Sequence, residues 1–204
     1  MRVLVACEES QAVTIEFRKR GHEAYSCDID PCTGGYPEWH IQGDALEVIN
    51  QDWDLMIAHP PCTRLTNAGV RWLSVPPKGR TLTSMWKELF DGAEFYKALR
   101  DCGIPKIAIE NPVMHLHAKE LINPGKRQVV QPWYFGDEAF KATGFELIGL
   151  PELKDTNRLT PPKPGTDEHK EWSWIHRMPP GPDRARLRSK TFPGIAKAMA
   201  EQWG

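Results

Sequence analysis

The fold of this chain is decided by its first 30 residues, MRVLVACEESQAVTIEFRKRGHEAYSCDID (residues 1–30). Residues 2–6 form a short apolar run, which is typical of a buried strand. Residues 10–20 carry apolar side chains at helical spacing, and Gly21 follows where such a helix would end. Residues 24–28 return to a strand-like pattern. This order predicts a strand, a helix and a second strand, the repeating unit of a parallel sheet.

The same alternation continues in the middle of the chain. Residues 53–58 (WDLMIA) are mostly apolar and stop at His59-Pro60-Pro61, because proline cannot continue a strand ladder. Apolar side chains three and four positions apart predict a helix over residues 83–102, and residues 106–109 (KIAI) predict the next strand. Strands that alternate with helices predict an α/β fold with a doubly wound, mainly parallel sheet covered on both faces.

Beyond residue 116 the pattern is weaker. We predict strands at residues 129–130 and 145–148 and a final helix over residues 193–203. Residues 151–191 are rich in proline, including Pro182, and this predicts a long loop or lid.

Length and composition limit the domain organisation. With 204 residues, 40% hydrophobic and 26% charged, the chain is expected to form one globular domain over residues 1–204. We expect residues 117–191 to be an irregular insertion or lid within it, rich in proline and tryptophan.

Bulk properties also restrict the class of function. No run of about 20 apolar residues or signal-peptide pattern is evident, which predicts a cytoplasmic protein with no membrane partner. A net charge of −1 predicts no overall attraction to nucleic acid and leaves a local basic patch open. The five cysteines form no C-x-x-C pair, so we expect free thiols, no disulfide framework and no metal site.

Two strand ends carry residues suited to chemistry. Cys62 follows Pro60-Pro61, and Glu110 ends the strand at residues 107–109 before Asn111-Pro112. A lone cysteine is more often structural, and a lone glutamate before Asn-Pro more often starts a turn. Together, a thiolate that adds to carbon-6 of cytosine and an acid that hydrogen-bonds ring nitrogen 3 would make carbon-5 able to accept a methyl group.

These residues resemble the catalytic Pro-Pro-Cys and Glu-Asn signatures of the cytosine-5 DNA methyltransferase family. The matching residues are Pro60-Pro61-Cys62 and Glu110-Asn111, in the same order along the chain. The resemblance implies a Rossmann-like methyltransferase fold and S-adenosylmethionine as cofactor. It also implies methylation of cytosine carbon-5 in DNA through a covalent Cys62 adduct assisted by Glu110 and Asn111. With about 75 residues between Pro112 and the last motif, the chain looks like a compact, phage-like member without a large target-recognition domain.

The resemblance further implies a set of cofactor contacts. Asp28 is the first candidate for the ribose hydroxyls and Asp30 the second, while Asp44 would meet the adenine amino group and Glu8 or Glu9 the methionine amino group. The loop after the first strand lacks the glycines of the family's first motif. A short third strand is expected around residues 43–46. The full predicted cofactor set is Cys7, Glu8, Glu9, Ser10, Asp28, Ile29, Asp44, Ala45 and Pro60.

Substrate contacts are predicted from two regions. Pro61 and Thr63 flank the nucleophile, and Arg186 and Arg188 resemble the arginines of the family's Gln-x-Arg-x-Arg motif, although Asp183 and Arg184 precede them. A solvated basic strand explains these arginines equally well. Residues 188–199 resemble the family's last motif, which closes the cofactor pocket, and also fit a plain terminal amphipathic helix.

Three alternatives stay open. The same chemistry could act on a free cytosine nucleotide. The chain could be a catalytically silent binding module that has lost its cofactor, as the loop without glycine suggests. A transferase with another donor could use the same sheet, because a fold does not dictate chemistry.

Overall fold

The computed structural model describes residues 1–181 and 184–204, and seven strands of this part form one sheet in the order β3-β2-β1-β4-β5-β7-β6. Strands β1 to β5 are parallel, whereas β7 is antiparallel to both β5 and β6. The strands are β1 (Arg2–Ala6), β2 (Glu23–Asp28), β3 (His40–Gln42), β4 (Leu55–Ala58), β5 (Ile107–Glu110), β6 (Arg127–Val130) and β7 (Thr143–Ile148).

Helices cover both faces of the sheet. They are α1 (Ala12–Lys19), α2 (Ala45–Val48), α3 (Leu82–Arg100), α4 (Leu116–Ile122), α5 (Asp167–Trp172), α6 (Trp174–Arg177), α7 (Arg184–Ser189) and α8 (Pro193–Trp203). Side chains alternate along β1, so that Leu4 packs in one core with α2, α3 and α4, and Val5 in the other with α1 and α8. The predicted doubly wound, mainly parallel Rossmann-like fold is confirmed.

The third strand lies just before its predicted position. It spans His40–Gln42 and pairs with the end of β2. Residues 43–46 do not form a strand, because the Asp44 side chain accepts a hydrogen bond from the Leu46 amide at 2.9 Å and begins α2. The predicted location of this strand was therefore wrong by a few residues.

The prediction of a long loop over residues 151–191 is also wrong in part. This segment contains the short helices α5, α6 and α7. Thr166 caps α5, since its hydroxyl accepts a hydrogen bond from the His169 amide at 3.2 Å. Trp172 is buried against Phe140, with ring centroids 5.5 Å apart. Pro182 and Asp183, which also belong to this segment, lie outside the described residues.

Two strands of the sheet, β6 and β7, fall within the range that was expected to be an irregular insertion. Whether part of residues 117–191 acts as a lid stays a prediction. Among the helices of the described residues, none combines the length and apolar character needed to cross a bilayer.

Candidate active site

Four strand ends line up at the carboxyl edge of the sheet. In the parallel register Ala6 pairs with both Cys27 and Ala58, and Ala58 pairs in turn with Ile109. The residues that come next along each strand therefore lie side by side at this edge. In spatial order they are Asp28, Cys7, His59 and Glu110.

The loop that carries Cys62 begins immediately after β4. Pro60 is buried, whereas Pro61, Cys62 and Thr63 are exposed. The Cys62 carbonyl oxygen accepts hydrogen bonds from the amides of Leu65 at 3.0 Å and Thr66 at 3.2 Å. Together these bonds form a tight turn that leaves the thiol accessible to a ligand.

The Cys62 loop is bonded to the segment that follows β5. The His115 amide donates to the Leu65 carbonyl oxygen at 3.0 Å, and the His115 ring contacts the Arg64 carbonyl oxygen through Nε2 at 2.8 Å. The Asn67 amide donates to the Val113 carbonyl oxygen. These contacts join the two motifs that were predicted to carry the chemistry.

Glu110 forms a hydrogen bond with His59. Oε2 of Glu110 lies 2.9 Å from Nδ1 of His59, and the His59 amide donates to the Ala6 carbonyl oxygen at 2.9 Å. Burial alone would raise the pKa of Glu110. The hydrogen bond and charge of His59, aided by the charge of Lys141, outweigh burial and lower this pKa. Glu110 is therefore held ionised. His59 directly precedes Pro60-Pro61-Cys62 in the sequence, but it was not predicted as a site residue.

The thiol of Cys62 is not activated in this state. Partial loss of hydration against the loop, and then the negative charge of Glu110, raise its pKa although the residue is exposed, and the Lys141 ammonium opposes this effect. The charge of Glu110 thus acts on the Cys62 thiol, and both groups lie at the carboxyl edge of the sheet.

Lys141 completes this cluster, and sequence reasoning missed it. Its Nζ donates to the carbonyl oxygens of Ser189 at 3.4 Å and Lys190 at 3.2 Å, at the end of α7. Burial lowers the pKa of Lys141, Glu110 and Cys62 oppose this shift, and Arg188 adds to it. Lys141 lies in an irregular stretch before β7, where no local motif marks it.

The two predicted substrate arginines lie on α7. Arg188 is half-buried and its charge acts on Lys141, so the structure places it beside the cluster. Arg186 is exposed on the same helix.

Asn111 is buried, and its backbone fixes the end of β5. The Asn111 amide donates to the Gly144 carbonyl oxygen at 2.7 Å, and the Arg127 guanidinium donates to the Asn111 carbonyl oxygen at 3.2 Å. These bonds hold the backbone next to Glu110 in place.

The loop after β1 makes the turn without glycine. Cys7 and Gln11 have φ values of 59° and 57°, in the left-handed region that favours glycine. Each such residue costs about 1–3 kcal/mol, so the surrounding contacts must impose this shape. The missing glycines therefore do not remove the tight turn. Burial first, and then the charge of Asp28, raises the pKa of Cys7 to about 12.

Glu8 is fully engaged within the fold. Its carboxylate accepts hydrogen bonds from the Val13 amide at 2.7 Å, the Thr14 amide at 3.2 Å and the Thr14 hydroxyl at 2.8 Å. Burial raises the pKa of Glu8 although His59 and these bonds oppose it. Glu8 therefore stabilises the start of α1.

The remaining predicted cofactor residues lie near the ends of β1, β2 and β3. Oδ1 of Asp28 accepts a hydrogen bond from the Asp30 amide at 3.0 Å. The side chain of Ile29 is 74% exposed. Ser10 is half-buried and Ala45 is buried at the start of α2.

Two observations test whether these residues fit a nucleoside cofactor. Oε1 of Glu9 and Nε2 of His59 are buried and have no hydrogen-bond partner within residues 1–181 and 184–204. Oε2 of Glu9 already accepts a hydrogen bond from Thr33. Buried polar atoms are rarely left without a partner, so donors of a bound ligand fit this edge. In the described part of the chain, no group of three or more His, Cys, Asp or Glu residues could hold a metal ion.

The solved structures that are similar to this chain include the following two proteins. A protein described as a DNA modification methyltransferase, encoded within a prophage of E. coli, is 15% identical, with a TM-score of 0.47 and coverage of 72% of this chain and 46% of that one. A mutant of DNMT2 from Spodoptera frugiperda is 12% identical, with a TM-score of 0.41 and coverage of 79% and 55%. This chain thus spans about half the length of each. No family model and no curated protein matches the sequence.

Proposed function

We propose that this chain transfers a methyl group from S-adenosylmethionine to carbon-5 of cytosine in DNA, through a covalent adduct with Cys62 that Glu110 assists. The main support is the pairing of Ala58 with Ile109, which places the Cys62 loop and Glu110 at neighbouring ends of parallel strands. The charge of Glu110 also acts on the Cys62 thiol.

Cys62 would act as the nucleophile. Its sulfur, as a thiolate, adds to carbon-6 of cytosine and makes carbon-5 electron-rich. Exposure of Cys62 allows a base to approach, and the Lys141 charge favours the thiolate. When bound, S-adenosylmethionine would supply the electrophilic methyl group. The proton on carbon-5 then leaves to water, and the carbon–sulfur bond breaks to release Cys62.

Glu110 would act as the acid. In its neutral form the carboxyl donates a hydrogen bond to ring nitrogen 3 and stabilises the charge that develops when Cys62 adds. His59 and Lys141 hold Glu110 ionised in this structure, so a proton must reach it before addition. Neutral Glu110 also ceases to raise the pKa of Cys62. One protonation therefore prepares both groups.

The cofactor is proposed to lie along the ends of β1, β2 and β3. Asp28 would accept hydrogen bonds from the ribose hydroxyls. The exposed side chain of Ile29 would cover the adenine ring, and Asp44, next to Ala45, would meet its amino group.

The methionine ammonium would be bound by Glu9. Glu9, with one unpartnered oxygen, suits this group better than Glu8, whose oxygens cap α1. Cys7, Ser10 and Pro60 would line the same groove.

The substrate is proposed to approach from the Cys62 side. Pro61 and Thr63 are exposed beside the nucleophile. Arg186 and Arg188 on α7 would contact phosphate groups. A phage or prophage origin and a cytoplasmic location stay predictions.

A free cytosine nucleotide is the second candidate substrate. The net charge of −1 favours it, because DNA-binding domains usually carry a basic surface. The silent binding module was suggested by the absence of glycine from the loop after β1. It is less favoured because Cys7 and Gln11 adopt the left-handed backbone conformation of a tight turn without glycine.

The test is transfer of a labelled methyl group to single-stranded DNA, duplex DNA and free cytosine nucleotides. We expect incorporation that is lost in Cys62→Ser and kept in Cys102→Ser, a matched control at the end of α3. Transfer by Cys62→Ser would remove the proposed nucleophile. An absence of cofactor binding by calorimetry at millimolar concentration would favour the silent module.

A further inference from the structure

The ring of His59 has one nitrogen engaged and one without a partner. Its side chain is 10% exposed, and Nδ1 lies 2.9 Å from Oε2 of Glu110. Nε2 is buried and has no hydrogen-bond partner among the residues that the structure describes. A buried polar atom without a hydrogen-bond partner destabilises the folded state. A group that arrives with a ligand would remove this cost.

The hydrogen bond to Glu110 defines what kind of group Nε2 can accept. A carboxylate oxygen accepts, so Nδ1 carries a proton, and Nε2 presents a lone pair once the ring carries no second proton. The two ring nitrogens point in different directions, so Nε2 faces away from Glu110. The matching partner is an N–H or O–H donor.

His59 lies between the loop after β1 and the end of β5. Its amide is bonded to the Ala6 carbonyl oxygen, and it interacts electrostatically with Glu8 from the β1 side. On the β5 side it faces Glu110. The charge of Lys141, in the segment before β7, also acts on Glu110. The charges of Glu110 and Lys141 both act on the Cys62 thiol.

We propose that His59 couples the cofactor site to Glu110, with Nε2 accepting a hydrogen bond from an N–H or O–H donor of bound S-adenosylmethionine. This inference rests on the proposed function and adds a positioning residue to it. A donor at Nε2 excludes a second ring proton and so keeps the imidazole neutral.

The neutral ring would change the charge of Glu110. The positive charge of His59 lowers the pKa of Glu110 against the effect of burial. Without that charge burial prevails, and the pKa of Glu110 rises. A protonated Glu110 would be the acid that addition requires, and the pKa of Cys62 would fall with the loss of its negative neighbour. Cofactor binding would thereby prepare the site for the base.

The direct test is nuclear magnetic resonance of the wild-type chain with S-adenosylhomocysteine. The chain is labelled with ¹⁵N in histidine and with ¹³C at the glutamate carboxyl. The resonances of His59 and Glu110 are assigned by their absence from the spectra of His59→Asn and Glu110→Gln. We expect saturation with the analogue to shift the His59 Nε2 resonance downfield, as a ring nitrogen that loses its proton does, and to move the carboxyl titration of Glu110 to higher pH. Saturation that leaves both signals unchanged overturns the coupling alone. Failure to bind the cofactor analogue overturns it together with the proposed function.

The variant His59→Asn separates the two ring nitrogens. Asparagine keeps a donor near the position of Nδ1 and has no atom at Nε2. We expect affinity for the analogue to fall about fivefold, the effect of one hydrogen bond, and the response of Glu110 to disappear. His176→Asn, on the exposed surface of α6, is the matched control and is expected to behave as wild type. A full response of Glu110 in His59→Asn would also overturn the coupling.

Discussion

Nζ of Lys141 donates a hydrogen bond to the carbonyl oxygen of Lys190 at 3.2 Å, across 49 positions of sequence. This bond holds the C-terminal end of α7 next to the residue whose charge acts on both Cys62 and Glu110. A helix that carries two predicted substrate arginines is therefore connected to the candidate catalytic cluster by one half-buried lysine.

Replacement of Lys141 by methionine is expected to make Cys62 less reactive. The Lys141 charge lowers the pKa of Cys62, so its loss raises this pKa and reduces the thiolate fraction at a given pH. The rate of Cys62 alkylation by iodoacetamide, followed by mass spectrometry across pH, should shift to higher pH. Lys126→Met, an exposed lysine paired with Glu152, is the control. An unchanged alkylation profile in Lys141→Met would contradict the assigned role.

Glu110→Gln is expected to affect two measurements in opposite directions. Loss of the negative charge lowers the pKa of Cys62, so alkylation at neutral pH becomes faster. Methyl transfer becomes slower by roughly 100-fold or more, because glutamine cannot supply a proton to ring nitrogen 3. Glu120→Gln, on the exposed side of α4, should alter neither rate. A decrease in both rates would instead indicate local disruption.

The strands that carry the site could be predicted because their patterns are local. β1, β4 and β5 are continuous apolar runs that end at polar residues or proline, and Cys62 and Glu110 follow from those ends. β3 was misplaced because it has three residues at the sheet edge and no buried side chain.

The rest of the site depends on tertiary contacts. Lys141 reaches Cys62 and Glu110 only after β7 has paired with β5 and α7 has packed beside it, so no spacing in the sequence marks it. The partner of Glu110 is 51 positions away at the end of another strand. The left-handed φ angles of Cys7 and Gln11 replace glycines that the sequence lacks, and propensity alone predicts the opposite.

Cofactor affinity is expected to depend on the charge of Asp28. Burial raises the pKa of this carboxyl, so it takes up a proton at a higher pH than an ordinary aspartate. Affinity for S-adenosylmethionine should therefore be full above this raised pKa and decrease as pH falls through it. Titration calorimetry from pH 7.5 downward measures the effect.

Asp28→Asn is the corresponding variant. We expect at least a tenfold loss of affinity at neutral pH, because hydrogen bonds to a charged group contribute about 1.5–3 kcal/mol. Asp30→Asn should change affinity much less and serves as the control. A larger loss in Asp30→Asn would make Asp30 the ribose ligand.

The position of the Cys62 loop can be tested through a glycine that touches it. A Cβ atom at Gly69 would collide with the backbone carbonyl oxygen of Thr63, next to the nucleophile, and backbone cannot move away as a flexible side chain can. Gly69→Ala should therefore displace the turn at residues 62–66 and reduce methyl transfer at least tenfold. Cofactor affinity should stay within about twofold, because the loop after β1 is not touched.

Gly92→Ala provides the matched comparison on α3. There the new Cβ would meet Leu65 at an ordinary 3.6 Å, and alanine stabilises a helix interior by about 1 kcal/mol relative to glycine. We expect a higher urea midpoint for this variant and unchanged methyl transfer. If Gly69→Ala retains full activity, the geometry of the turn is not needed to present Cys62. If both variants lose activity and stability equally, the effect of Gly69 is on folding and not on the nucleophile.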